Sequence, residues 1–121
     1  MSRAGDLTPR QAWDLLAREP GAVLVDVRTR AEWSFVGLPD VSALGSDGTG
    51  RLALLEWVSY PDGRPNPAFL EQLAAAVPRS APVVFLCRSG HRSVGAAEAA
   101  AAAGWAAAYN CLLYTSPSPR D

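Results

Sequence analysis

The chain has 121 residues, 49% of them apolar and 19% charged, with a formal net charge of −1. That suits one globular domain able to bury its own core and speaks against the basic stripe of a nucleic-acid binder. No run reaches the roughly 18 apolar residues of a membrane span, since the alanine-rich stretch from Val94 to Tyr109 carries Glu98, and Met1 to Asp6 lacks a signal-peptide core, so the expected location is the cytoplasm.

In chain order, Thr8-Pro9-Arg10-Gln11 predicts a helix start: Thr8 as N-cap, Pro9 in the first helical position, Gln11 completing a capping box. Ala12, Leu15 and Leu16 form its apolar face, and Pro20-Gly21 ends it. Ala22 to Val27 is an apolar, β-branched run without alternation, as in a parallel strand buried on both faces. Arg28 to Val36 reads as a short helix. Gly37 to Gly50 reads as loop, with one short strand near Val41. Leu52 to Trp57 fits either strand or helix.

Asn66-Pro67 predicts the next helix, cap then proline, with Phe69, Leu70, Leu73, Ala74 and Val77 on one face. Val83 to Leu86 is a second buried strand. A helix is expected from about Ser93 to Ala103, with Gly104 as its C-terminal cap. Trp105 to Asn110 reads as a last strand. Alternating strands and helices point to an α/β parallel sheet covered on both sides. Trp13, Trp33, Trp57 and Trp105 are expected in the core or lining a cavity. Residues 111–121 read, codon for codon, as a translated sequencing-library transposon adaptor. The expected division is therefore a domain over 1–110 and an artefactual tail over 111–121, outside the fold.

Two cysteines and one histidine are too few for a zinc site, and no Cys-x-x-Cys pair is present; no metal or organic cofactor is expected. Cys87 lies between a buried strand and a helix. Ligands bind at the C-terminal ends of strands in open α/β sheets. The helix N-terminus supplies free N–H groups and a positive dipole end. A loop containing Gly90 can curl its amides into an anion nest, and Arg88 and Arg92 add positive charge. Each feature favours thiolate, which makes Cys87 the candidate nucleophile.

The run Cys87-Arg88-Ser89-Gly90-His91-Arg92-Ser93 resembles the active-site loop of the rhodanese family, whose first residue carries a sulfane sulfur as a persulfide. Val25-Asp26-Val27-Arg28, with Glu32-Trp33, resembles the family's N-terminal signature. Gly104-Trp105 and Tyr109-Asn110 resemble the approach to its closing strand. The resemblance spans Leu7 to Asn110. It implies a rhodanese-like parallel sheet with helices on both faces, truncated at the C-terminus because a glycine-containing continuation and closing helix are missing after Asn110. Gly37-Leu38-Pro39-Asp40 also departs from the family's Gly-His-Ile-Pro-Gly, and Leu44 to Pro67 is unusual; both bear on the substrate entrance and partner choice.

Arg88, Ser89, Gly90, His91, Arg92 and Ser93 are the expected substrate-binding loop. Arg88 is expected to bind the anionic donor. Ser89 either donates to the persulfide or supports the turn. Gly90 supplies an amide at positive φ. His91 is read as an exposed loop side chain rather than a general acid. Arg92 fixes the loop by hydrogen bonds. Ser93 is read as the helix N-cap, with a hydroxyl near the thiolate as the alternative. Asp26, Arg28 and Glu32 are given structural roles near the site: Asp26 caps a helix or pairs with an arginine, and Arg28 and Glu32 have the spacing of a helical ion pair.

The function so implied is sulfurtransferase, moving sulfur from thiosulfate or a persulfide donor through Cys87 to a thiol or cyanide acceptor. A sulfur-carrier protein is a further partner; nucleic acid and membrane are not. One alternative is a non-catalytic or redox-sensing module, since a low-pKa thiol is oxidisable. A cysteine phosphatase or arsenate reductase is disfavoured. Cysteine phosphatases place five residues between Cys and Arg, whereas four separate Cys87 from Arg92, which is too tight a loop to wrap phosphate.

Overall fold

The computed structural model describes residues 4–28, 33–34, 51–57, 66–87 and 91–112. Along the chain run β1 (Gly5–Leu7), α1 (Pro9–Arg18), β2 (Val23–Asp26), β3 (Leu52–Leu54), α2 (Phe69–Ala76), β4 (Val83–Cys87), α3 (His91–Ala102) and β5 (Ala108–Leu112). The strands form one parallel sheet in the order β1-β5-β4-β2-β3. Leu52–Leu54 resolves the ambiguous segment as an edge strand, paired to Leu24–Asp26.

Helices cover both faces, as expected. One face packs Val23, Val25, Val27, Val83 and Phe85 against α2 and α3. The other packs Leu24, Val84, Leu86 and Cys111 against Ala12 and Leu16 of α1. All of β2 is buried, Val23 to Val25 as an apolar run without alternation requires and Asp26 with them.

The capping box of α1 is formed in full. The Gln11 N–H donates to Thr8 Oγ1 at 3.1 Å, and the Thr8 N–H donates to Gln11 Oε1 at 2.9 Å. Its far end is closed from a distance. The Arg51 guanidinium donates from Nε to the Ala22 carbonyl at 2.7 Å and from Nη2 to the carbonyls of Leu16 and Glu19. Ala12 and Leu16 are buried, whereas Trp13 is 39% exposed. Trp13 is outside the core but lines a small cavity with Ala12, Leu16, Leu86 and Cys111, the lining role expected of it.

Two helix starts differ from expectation. α2 begins at Phe69 rather than at Asn66-Pro67. The Asn66 side chain accepts from the Ala68 N–H at 3.1 Å and its carbonyl from the Phe69 N–H at 3.2 Å, closing a tight turn first. Its buried stripe is narrower too: Phe69, Leu73 and Val77 are buried, but Leu70 and Ala74 are exposed. α3 begins at His91, not Ser93.

α3 ends as glycine punctuation predicts. Gly104 has φ +113°. Its N–H donates to the Ala101 carbonyl at 3.2 Å, and the Trp105 N–H to the Ala100 carbonyl at 3.0 Å, the paired bonds of a Schellman end. Trp105 then fills the core, wholly buried, so β5 starts only at Ala108 and continues to Leu112. Cys111 pairs with Leu7 and Leu86 across the sheet and is buried. Cys111 and Leu112, expected to lie outside the fold, are thus its last strand residues; the position at 111 needs a small apolar side chain whatever the origin of its codon.

Trp33 and Ser34 are helical within the expected short helix, while Arg28 is in a bend after β2. The loop expected over 37–50 and the tail over 113–121 lie outside the described residues.

Candidate active site

Parallel strands bring their C-terminal ends to one edge of the sheet. β2 and β4 are neighbours there, but the chain leaves them in opposite directions, from β2 to β3 at one edge and from β4 towards β5 at the other. A crevice opens where neighbouring strands part in this way, and α/β sheets bind ligands there. Cys87 is the last residue of β4, paired in register with Leu112. Asp26 is the last residue of β2, and the Val27 N–H continues the ladder to the Leu86 carbonyl at 2.9 Å. Cys87 and the Asp26–Arg28 segment therefore flank the switch point.

The sequence places three residues, 88–90, between Cys87 and the first residue of α3. Arg88, Ser89 and Gly90 lie outside the described residues, as does Glu32. His91 and Arg92 are the first two residues of α3, so both are helical rather than in the loop. No acidic residue occurs in the first turn of α3. The positive end of the helix dipole therefore meets no carboxylate from its own turn, and it favours an anion there.

Ser93 is a correction. It is the third helical residue, wholly buried, and its hydroxyl donates to Asn110 Oδ1 rather than capping the helix. Asn110, also buried, donates from Nδ2 to Asp6 Oδ1 at 3.2 Å. The amide thus joins the first turn of α3 to β5 and β1. The signal available in the sequence was a polar side chain between the apolar runs of a closing strand, which a satisfied buried amide often explains.

Asp26 takes one of the two roles expected of it, pairing with Arg28, while Glu32, the partner expected of Arg28, lies outside the described residues. The Arg28 N–H donates to Asp26 Oδ1 at 3.0 Å, and the guanidinium returns to the same carboxylate, with Nη2 2.6 Å from Oδ2. The pair stiffens the exit of β2 beside the crevice. Beyond β3, the Trp57 N–H donates to the Val27 carbonyl at 3.3 Å. The half-buried Trp57 indole packs edge-on to Phe69, with ring centroids 5.1 Å apart at 87°. It also lies against Gly95, where an added Cβ would come within 3.2 Å of the ring. Gly95 is one turn beyond His91, so Trp57 packs against the start of α3, at the margin of the core.

The family model for the rhodanese-like domain matches residues 8–115. The chain belongs to the rhodanese-like domain family. The crystal structure of Rv0390 from M. tuberculosis is similar at 54% identity, with a TM-score of 0.81 over 92% of this chain and 79% of that one. An uncharacterized RP600 homolog of Rickettsia rickettsii is 37% identical over 100 residues, 83% of this chain and 74% of the relative. The uncharacterized RP600 of Rickettsia prowazekii is 33% identical over the same length. The fold is thus shared with Rv0390, and the sequence with proteins of Rickettsia. No helix among the described residues is long and apolar enough to cross a membrane.

Proposed function

We propose that the protein is a sulfurtransferase whose carrier is Cys87. The observation that carries this reading is the position of Cys87: the final residue of a central strand, at the switch point, three residues before a helix N-terminus, in a chain of the rhodanese-like family. A helix N-terminus and neighbouring arginines favour thiolate over thiol.

The Cys87 thiolate attacks the outer sulfur of thiosulfate. A new S–S bond forms to Cys87, the donor's S–S bond breaks, and sulfite leaves with the bonding electron pair. The product is a Cys87 persulfide anion, which the loop amides and Arg88 stabilise in the manner of an oxyanion hole. An acceptor such as cyanide then attacks the outer sulfur, takes it as thiocyanate and returns the thiolate, a double displacement. A low-molecular-weight thiol or a sulfur-carrier protein takes the sulfur as its own persulfide in the same way. Neither half-reaction needs a metal or an organic cofactor. We place the activity in the cytoplasm, where thiols stay reduced.

Intact mass after incubation with thiosulfate, without reducing agent, tests the reading. One added sulfur atom, absent in Cys87→Ser, is expected. No adduct with thiosulfate or a persulfide donor on folded protein overturns it.

A further inference from the structure

We infer that Asn110 is a positioning residue for Cys87 and acts through Ser93 and the first turn of α3; the inference rests on Cys87 being the reactive thiol. Three observations carry it: the donor directions of one relay, the burial of its inner members, and its place at the far end of the loop.

An ionised carboxylate has no proton to donate, so Asp6 can only accept. That orients the Asn110 amide with Nδ2 towards Asp6 Oδ1, at 3.2 Å, and Oδ1 towards Ser93. A carbonyl oxygen only accepts, so Ser93 is the donor. A serine hydroxyl has one proton and two lone pairs. With its proton committed to Asn110, Ser93 presents acceptor capacity alone to the turn around it. The sequence had allowed a Ser93 hydroxyl near the thiolate; the relay commits that proton to Asn110.

Ser93 is 0% exposed and Asn110 1% exposed. Water does not substitute for either partner at that depth, and an unmade bond there costs the full desolvation of its groups. Asn110 is itself fixed, paired in register to Asp6 on one side and Phe85 on the other. The connection from β4 to α3 is only three residues long. Its first anchor is Cys87 in the ladder opposite Leu112. Its second is the first turn of α3, which Ser93 ties to Asn110. The relay thereby ties the N-terminus of α3, with its free N–H groups and positive dipole end, to the strand that neighbours the one ending at Cys87.

The test compares Ser93→Ala, Asn110→Ala, the double variant and Asp6→Ala with wild type. The pH profile of Cys87 alkylation by iodoacetamide reports the thiolate, and thiosulfate:cyanide kinetics report turnover. Ser93→Ala and Asn110→Ala are each expected to move the alkylation profile to higher pH. Each should lower kcat about tenfold, with KM for thiosulfate changed less than about threefold, the pattern of lost positioning. The double variant is expected to be no worse than either single one, because both remove the same link. A profile and kcat unchanged in folded Asn110→Ala overturn the inference, and so does additive loss in the double variant. Should Asn110→Ala fail to fold, Asp6→Ala decides: it lies at the exposed edge and loosens the amide, so an unmoved profile overturns the inference. Wild-type protein that alkylates at Cys87 yet transfers no sulfur defeats the sulfurtransferase reading alone, since the alkylation arm still reports positioning.

Discussion

Asp26 grips Arg28 with both carboxylate oxygens: Arg28 Nε stands 2.9 Å from Oδ1 and 3.0 Å from Oδ2, and Nη2 2.6 Å from Oδ2. Both side chains are buried, at 0% and 4% exposure. Desolvation offsets much of the attraction in such a pair, so its presence adds little net stability; removing one partner is what costs. Asp26→Ala is expected to lose roughly 3–5 kcal/mol, because a guanidinium is left buried and unpaired. Urea unfolding of Asp26→Ala and of Asp26→Ala/Arg28→Met measures it. The double variant should recover much of the loss, and equal loss in both would refute the account.

The same pair shows where sequence reading succeeds and where it stops. Thr8 with Gln11, Gly104 after a helix and the apolar run from Ala22 to Val25 act through neighbours a few residues away. Their outcomes follow from local chemistry, and the fold class with them. Asp26 with Arg28 was partly readable, since the partners are two residues apart. Ser93 with Asn110 and Arg51 with the end of α1 were not, for their partners are 17 and 29 to 35 residues distant. No local pattern announces them. Ser93 looks like a cap because serine is a good one, and only the two-residue shift in the start of α3 makes it an internal donor.

Arg51 gives a prediction of stability without activity. It sits at the start of β3, at the opposite end of the parallel sheet from Cys87, and supplies donors to the carbonyls of Leu16, Glu19 and Ala22. Arg51→Met is expected to cost about 2–4 kcal/mol for carbonyls left without charged donors. kcat/KM for sulfur transfer at a temperature where both proteins are folded should stay at the wild-type level. A selective loss of turnover in a fully folded variant would contradict this assignment.

Cys111 predicts a contrast in thiol reactivity. Its side chain is 3% exposed and packs among Ala12, Leu16, Leu24 and Leu86. Cys87→Ser, the variant retaining only Cys111, is expected to react negligibly with an aromatic disulfide reagent when native and fully in urea. Cys111→Ala should leave sulfur loading intact and lose about 1 kcal/mol or less. Rapid native labelling of Cys87→Ser would show that β5 opens readily beyond Asn110.

Gly104 is held at φ +113° with Arg79 over it, where an added Cβ would meet Arg79 Cδ at 3.0 Å. Arg79 Nε donates to the Ala103 carbonyl at 2.8 Å, and its guanidinium lies 4.4 Å from the Trp105 ring. Gly104→Ala is expected to lose about 1–2 kcal/mol from the left-handed backbone alone. Displacing Arg79 adds to that. Arg79→Ala first, then Gly104→Ala in that background, separates the two: the glycine substitution should cost less once Arg79 is gone, and an unchanged cost would assign the whole effect to φ.

Gly95 is the opposite case, a glycine inside a helix at ordinary φ. On propensity alone, Gly95→Ala would gain about 1 kcal/mol. The added Cβ, however, comes within 3.2–3.4 Å of Cζ2, Nε1 and Cε2 of Trp57. That indole is held from behind by Phe69, which in turn packs against Phe85 with centroids 6.1 Å apart. A ring wedged in this way does not retreat without disturbing the core, and overpacking costs roughly 1–3 kcal/mol. The steric term wins, so Gly95→Ala is expected to be destabilising in urea unfolding. The sign should reverse in a Trp57→Ala background, where the ring is gone and only propensity remains. A stabilising Gly95→Ala in the presence of Trp57 would mean that the indole moves freely and does not brace the start of α3.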